Sequence, residues 1–173
     1  MLITSKEANK LLKKCYDELE IIRIKENQSL YFIAAAGEVI ESVRPEYDFE
    51  STQRKIESIN ANVIHIKHQL NKFNTSTALE NVNLTIDEVL ILLPQLNELK
   101  SKYERMLKHL PKNRRLSNGT LIEYEYANYD LKAVEFSYNR VINEINTLQL
   151  ELDKVNSTAR FEINLPFPLE ELR

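Results

Sequence analysis

The chain has 173 residues, 43% hydrophobic and 28% charged, with a net charge of −3, two glycines and no tryptophan. That length and balance suit a folded domain with a core and exclude a disordered segment, while so few glycines exclude a turn-rich, mainly β fold. The acidic balance argues against a nucleic-acid polymer as partner, because polymer binders carry a basic surplus that releases phosphate counterions.

The first predicted helix spans about residues 5–28 and opens behind Thr4, which has the capping-box spacing to Glu7. Its apolar stripe is Ala8, Leu12, Cys15, Leu19 and Ile22, which makes Cys15 a small core residue rather than a reactive thiol. A single cysteine cannot pair internally and the N-terminus lacks a signal-peptide pattern, so a cytoplasmic setting is expected. Residues 30–36, the longest apolar run, fall far short of the roughly 20 residues a membrane span requires, and no membrane partner is expected.

Residues 30–34 (Leu30, Tyr31, Phe32, Ile33, Ala34) are too short a run for periodicity to separate a strand from a helical continuation. From Glu38 to Tyr47 the acidic residues and Pro45 mark a connection. A second helix over about 49–72 carries Phe49, Thr52, Ile56, Ile59, Val63, Ile66, Leu70 and Phe73 in steps of three and four. His65 and His68 lie off that stripe without close acidic or cysteine companions, so they read as solvated side chains rather than metal ligands.

Asn71, Lys72, Asn74, Thr75 and Thr77 then mark a helix end and loop, because such side chains compete for the backbone. The third helix, about 86–110, repeats the capping-box spacing with Thr85 and Glu88, and its stripe runs in phase through Pro94, predicting a kink there and not a break. Beyond Pro111 comes a basic cluster, Lys112, Arg114 and Arg115, then an Asn118-Gly119 turn signal. Tyr124 and Tyr126 follow within an alternating, strand-like stretch, 121–126, which the 30–34 run or a neighbouring subunit is expected to pair with.

The fourth helix, about 131–155, has the cleanest stripe: Leu131, Val134, Tyr138, Val141, Ile145, Leu148, Leu152 and Val155. At about 1.5 Å per residue it is roughly 37 Å long and needs a partner along its length. An extended tail, 160–173, is expected to dock through Phe167, Leu169 and Leu172. The whole reads as a mainly α fold, a single helical domain over 1–173 built as an antiparallel long-helix bundle or coiled coil, with a small β element near 30–34 and 121–126.

Antiparallel helices would gather Asn71, Asn74, Thr75 and Thr77 with Asn156 and Thr158 at one end, either as mutual capping of helix termini or as a pocket for an anion. Arg114 and Arg115 with Tyr124 and Tyr126 suit either phosphate and base stacking or a protein interface.

Three motifs are similar to a known family. Ile59 to Asn62 leading into Leu70-Asn71-Lys72-Phe73-Asn74-Thr75, the capped helix after Leu84-Thr85, and Leu152-Asp153-Lys154-Val155-Asn156-Ser157-Thr158 resemble the septicolysins, small bacterial helical proteins. The resemblance implies an elongated, self-associating helical protomer whose biochemical role is poorly defined. The chain departs from the family at Leu92-Leu93-Pro94-Gln95, where an Arg-Arg-Asp cluster is usual, and at Ser157, where an aromatic is usual.

Neither a nucleophile with its base, a zinc helix motif nor a phosphate loop is present, so the chain is read as a non-enzyme with no cofactor and no metal site. The expected function is capture of a small anionic, nucleotide-like ligand by a homo-oligomer, through Asn71, Lys72, Asn74, Thr75, Thr77, Arg114, Arg115, Tyr124, Tyr126, Asn156 and Thr158. The alternative is a protein–protein scaffold with no small ligand.

Overall fold

The computed structural model describes residues 1–115 and 121–168. It is mainly helical. A strand β1 (Leu2–Thr4) leads into α1 (Ser5–Ser29), followed by a short α2 (Ile40–Val43), α3 (Phe49–Ser76) and α4 (Ile86–Lys108). Strands β2 (Lys112–Arg115) and β3 (Glu123–Tyr126) come next, then α5 (Leu131–Thr158) and β4 (Arg160–Glu162). The Asn118-Gly119 turn and the docking of Leu169 and Leu172 lie outside the described residues.

The contacts gather into two compact units, one made of Met1–Phe73 with the segment from Asn156 onward, the other of Asn74–Val155. In the first, α1 buries Ala8, Leu12, Cys15 and Leu19 against Ile59, Val63 and Ile66 of α3, with Ile3 and Ile163 closing the cluster. The helices run antiparallel, because Glu26 near the end of α1 accepts from Tyr47 Oη at 2.7 Å and from Gln53 Nε2 at 2.8 Å, just before and just inside the start of α3. Cys15 is wholly buried, as its seam position predicts.

In the second unit the same logic joins α4 and α5. Tyr129 and Tyr138, around the start of α5, donate to the Met106 carbonyl (2.8 Å) and to Glu104 Oε1 (2.9 Å) near the end of α4. At the other end Lys154 Nζ meets Glu80 Oε2 at 2.6 Å and Asn81 Nδ2 donates to Glu151 Oε1 at 2.7 Å. Val134, Val141, Ile145, Leu148 and Leu152 of α5 are buried, as are Val89 and Leu96 of α4. Helix α4 runs through Pro94 without a break, although the proline supplies no N–H to the turn before it.

Several expectations need correction. Residues 30–34 form no strand, and β3 pairs with β2, not with that run; the basic cluster is nearer in the chain, so closing that hairpin costs less entropy than a long-range pairing. The helices outlast their predicted ends: α3 continues to Ser76 and α5 to Thr158, through residues that favour loops. Packing overrides propensity there, because Phe73 is buried and stacks on Phe161 with ring centroids 4.7 Å apart, and Val155 is buried. The tail is not merely extended, since β4 pairs antiparallel with β1 and sets Thr4 opposite Arg160.

Candidate functional site

The β2–β3 hairpin brings the predicted arginine–tyrosine group together. Pro111 follows the end of α4, the Ala127 N–H donates to the Pro111 carbonyl at 3.0 Å, and the register sets Lys112 opposite Tyr126 and Arg114 opposite Tyr124. Residues opposed across an antiparallel pair share a face. One face therefore holds Lys112, Arg114, Tyr124 and Tyr126, and the other Asn113, Arg115, Glu123 and Glu125. The Lys112 ammonium lies 4.0 Å from the Tyr124 ring centroid and 5.4 Å from that of Tyr126, a cation–π arrangement that fixes the aromatic pair. Arg115 is thus on the acidic face and separated from Arg114, with His109 Nε2 3.5 Å from Glu125 Oε2 on that side. Chemically the first face offers two cations beside two exposed aromatic planes, suited to an anionic or planar group.

The polar helix-end residues are divided between the units. Asn71 and Lys72 in the last turns of α3, with Asn156 and Thr158 in the last turn of α5, belong to the first unit, whereas Asn74, Thr75 and Thr77 belong to the second. Asn74, Thr77 and Asn156 are half-buried and the others exposed. Thr77 follows α3 and its carbonyl accepts the Ile86 N–H at 3.0 Å, so its backbone carries structure at the entrance to α4.

Two features escaped the pattern reading. The connection between α1 and α3 leaves Ile33 94% and Tyr31 88% exposed, with Val39 and Ile40 also exposed. It is nonetheless ordered locally: Glu38 Oε2 accepts the Ala35 N–H at 2.8 Å, Gly37 takes the left-handed φ of 89°, and Arg44 stands 5.8 Å over the Phe32 ring while pairing with Glu41 at 3.0 Å. Only the conjunction of an apolar run with flanking breakers hinted at it. The second is a cavity of about 230 Å³ lined by Glu18, Ser58, Asn62 and Phe167. Glu18 is buried and its Oε2 has no hydrogen-bond partner among the described residues. Heptad spacing does not reveal it, because Glu18 sits beside a stripe position and reads as solvated.

The phenol of Tyr47 is held above its ordinary pKa by the bond to Glu26, and that of Tyr138 by the bond to Glu104. Among the described residues no three His, Cys, Asp or Glu side chains converge as a metal set would, and His65 and His68 lie apart from any such group. No helix among them is long and apolar enough to cross a membrane.

Two antiparallel helical hairpins with small two-stranded sheets define the class: a mainly α protein with a ribbon and an apolar connection at its helix junctions. The chain is similar to a crystal structure of a functionally unknown conserved protein from Corynebacterium diphtheriae, with 13% identity, a TM-score of 0.62, and coverage of 94% of this chain and 100% of that one. At that identity the likeness shows the fold alone. No family model and no curated protein matches the chain.

Proposed function

We propose that the protein is a non-catalytic helical scaffold that associates with a second copy of itself through the connection 30–48. The observation that carries this reading is the exposure of Tyr31, Ile33, Val39 and Ile40 within one connection. A grouped apolar surface on an otherwise charged chain marks an interaction site more often than scattered apolar residues do. Tyrosine and phenylalanine, present here as Tyr31 and Phe32, are enriched in such contacts. The resemblance of three motifs to the septicolysins, which implies self-association, agrees with this proposal, as does the expectation of a cytoplasmic setting for a chain whose one cysteine is a buried thiol. Light scattering tests it directly. The wild type is expected as an oligomer, and Ile33→Asp with Tyr31→Ser as a folded monomer; a wild-type monomer at about 100 μM, well above the Kd of a stable dimer, overturns it.

A second reading is favoured by the basic–aromatic face of the hairpin. There Arg114 and Lys112 supply charge to a small anionic, nucleotide-like ligand, and Tyr124 and Tyr126 supply stacking surface. Isothermal titration against nucleotides and cyclic dinucleotides tests it, with Arg114→Ala expected to abolish the heat. No heat from the wild type across the panel removes this reading and leaves the scaffold.

A further inference from the structure

We infer that the chain is two copies of one helical-hairpin motif, and that the Asn- and Thr-rich segment closing each copy is the framework element at which one copy hands the chain to the other, not a ligand site. Sequence and structure support this independently. Helix α3 ends Gln69-Leu70-Asn71-Lys72-Phe73-Asn74-Thr75-Ser76 and α5 ends Glu151-Leu152-Asp153-Lys154-Val155-Asn156-Ser157-Thr158. Leucine, lysine and the second asparagine are kept in place, four positions change to chemically close residues, and the buried Phe73 stands where the buried Val155 does. Both helices are 28 residues long. When they are aligned on that segment, Ile59, Val63, Ile66 and Phe73 of one match Val141, Ile145, Leu148 and Val155 of the other, and all are buried.

The first helix of each copy repeats as well. Thr4 Oγ1 accepts from the Glu7 N–H at 3.2 Å while Glu7 Oε2 accepts the Thr4 N–H at 2.8 Å; for Thr85 and Glu88 the distances are 3.3 and 2.7 Å. Ala8 and Cys15 then correspond to Val89 and Leu96, again all buried. The cap residue of each copy also has an antiparallel backbone partner in chain that follows the other copy's second helix, within a three-pair ladder at Thr4 and as a single bridge at Thr85. Thr4 pairs with Arg160, just after α5, and Thr85 bridges Ala78, just after α3.

The division into units respects this plan. The chain leaves the first unit between Phe73 and Asn74 and returns to it between Val155 and Asn156, the same step of the repeated segment. Asn74 and Asn156 are both half-buried, and the residues that follow them are both exposed. A polar motif kept twice, at equivalent chain crossings, is accounted for by a shared structural duty. What the copies do not share is the connection between their helices: an apolar loop with α2 in one, the β2–β3 ribbon in the other. Repeat architectures place recognition in such variable insertions, so selectivity is assigned to the described residues of the two connections, 30–48 in one copy and 109–115 with 121–130 in the other, and removed from Asn71, Lys72, Asn74, Thr75, Asn156 and Thr158. This inference does not rest on either proposed binding activity.

The test is a reciprocal exchange in the full chain, read by thermal unfolding. Thr75→Ser with Ser76→Thr, and separately Ser157→Thr with Thr158→Ser, give each copy the other's residues and are expected to leave Tm within about 2 °C of wild type. Asn74→Ala and Asn156→Ala are expected to lower Tm by matching amounts, about 4 °C or more. Clearly unequal losses, or an exchange tolerated in one copy and not in the other, overturn the equivalence. A nucleotide that raises the wild-type Tm, with the rise lost in either asparagine variant, overturns the assignment of the segment to the framework.

Discussion

The side chain of Asn62 grips the backbone of Phe167 from both sides: its Oδ1 accepts the Phe167 N–H and its Nδ2 donates to the Phe167 carbonyl, each at 3.1 Å. Asn62 is buried in the middle of α3, where an asparagine has no propensity to recommend it. A residue 105 positions later supplies the reason, giving a segment that lacks regular structure the two bonds a strand partner would otherwise provide. Phe167, one of the residues through which the tail is expected to dock, is thus held by its backbone, and the residue itself stays exposed.

Asn62→Ala removes both bonds and leaves the Phe167 amide and carbonyl to find water, at a cost of about 2–3 kcal/mol. Hydrogen exchange of the Phe167 amide is expected to accelerate in this variant more than exchange within α4. Unchanged protection would show that other contacts hold the segment.

The two capping boxes predict paired effects. Thr4→Ala and Thr85→Ala are each expected to cost about 1 kcal/mol in denaturant unfolding, because each exposes the first turn of its helix to loss of a side-chain acceptor. Glu7 and Glu88 are both held below the ordinary carboxylate range, first by the backbone N–H of Thr4 or Thr85 and then by the threonine hydroxyl. A depressed folded pKa means the unfolded state binds protons first as pH falls. The stabilisation is therefore complete above the unfolded glutamate pKa, about 4.3, and is lost as pH drops through the lower folded value. Glu7→Gln with Glu88→Gln is expected to flatten the acid limb of a stability–pH profile; an unaltered limb would contradict the account.

Burial first, and the neighbouring Glu18 carboxylate second, push the Cys15 thiol above its ordinary pKa, disfavouring the thiolate that thiol reagents attack. Native protein at pH 8 is expected to react with a bulky disulfide reagent only at the rate of opening, and to react at once in denaturant. Rapid labelling of the native chain would mean that α1 does not pack as described.

Neighbouring isoleucines on α3 give a contrast within one turn. Ile66 is 0% exposed and Ile64 is 70% exposed. Ile66→Ala is expected to cost about 2–5 kcal/mol, combining lost transfer energy with a cavity, whereas Ile64→Ala stays within about 0.5 kcal/mol. Similar losses from both would place Ile64 in an interface.

The long helices were readable from residue order because their stripes are local: Ile59, Val63 and Ile66 recur with the period of the helix that buries them, and Thr4 with Glu7 closes its bonds within four residues. The same legibility extends to the strand tendency of Tyr124 and Tyr126, but not to its partner. Of the candidate site, the arginine–tyrosine group proved spatially coherent for Arg114, Tyr124 and Tyr126, while Arg115 went to the opposite face because side chains alternate across a strand.

Periodicity thus carried the element types, the seams and the caps, since each depends on neighbours within a turn or two. Pairing did not follow from it. That β1 closes with β4, that Asn62 holds Phe167, that Phe73 draws α3 past its polar end onto Phe161, and that Tyr31 and Ile33 remain uncovered all depend on contacts between residues far apart in the chain. Such contacts are chosen by shape and by the need to satisfy buried backbone groups, and no local spacing records that choice.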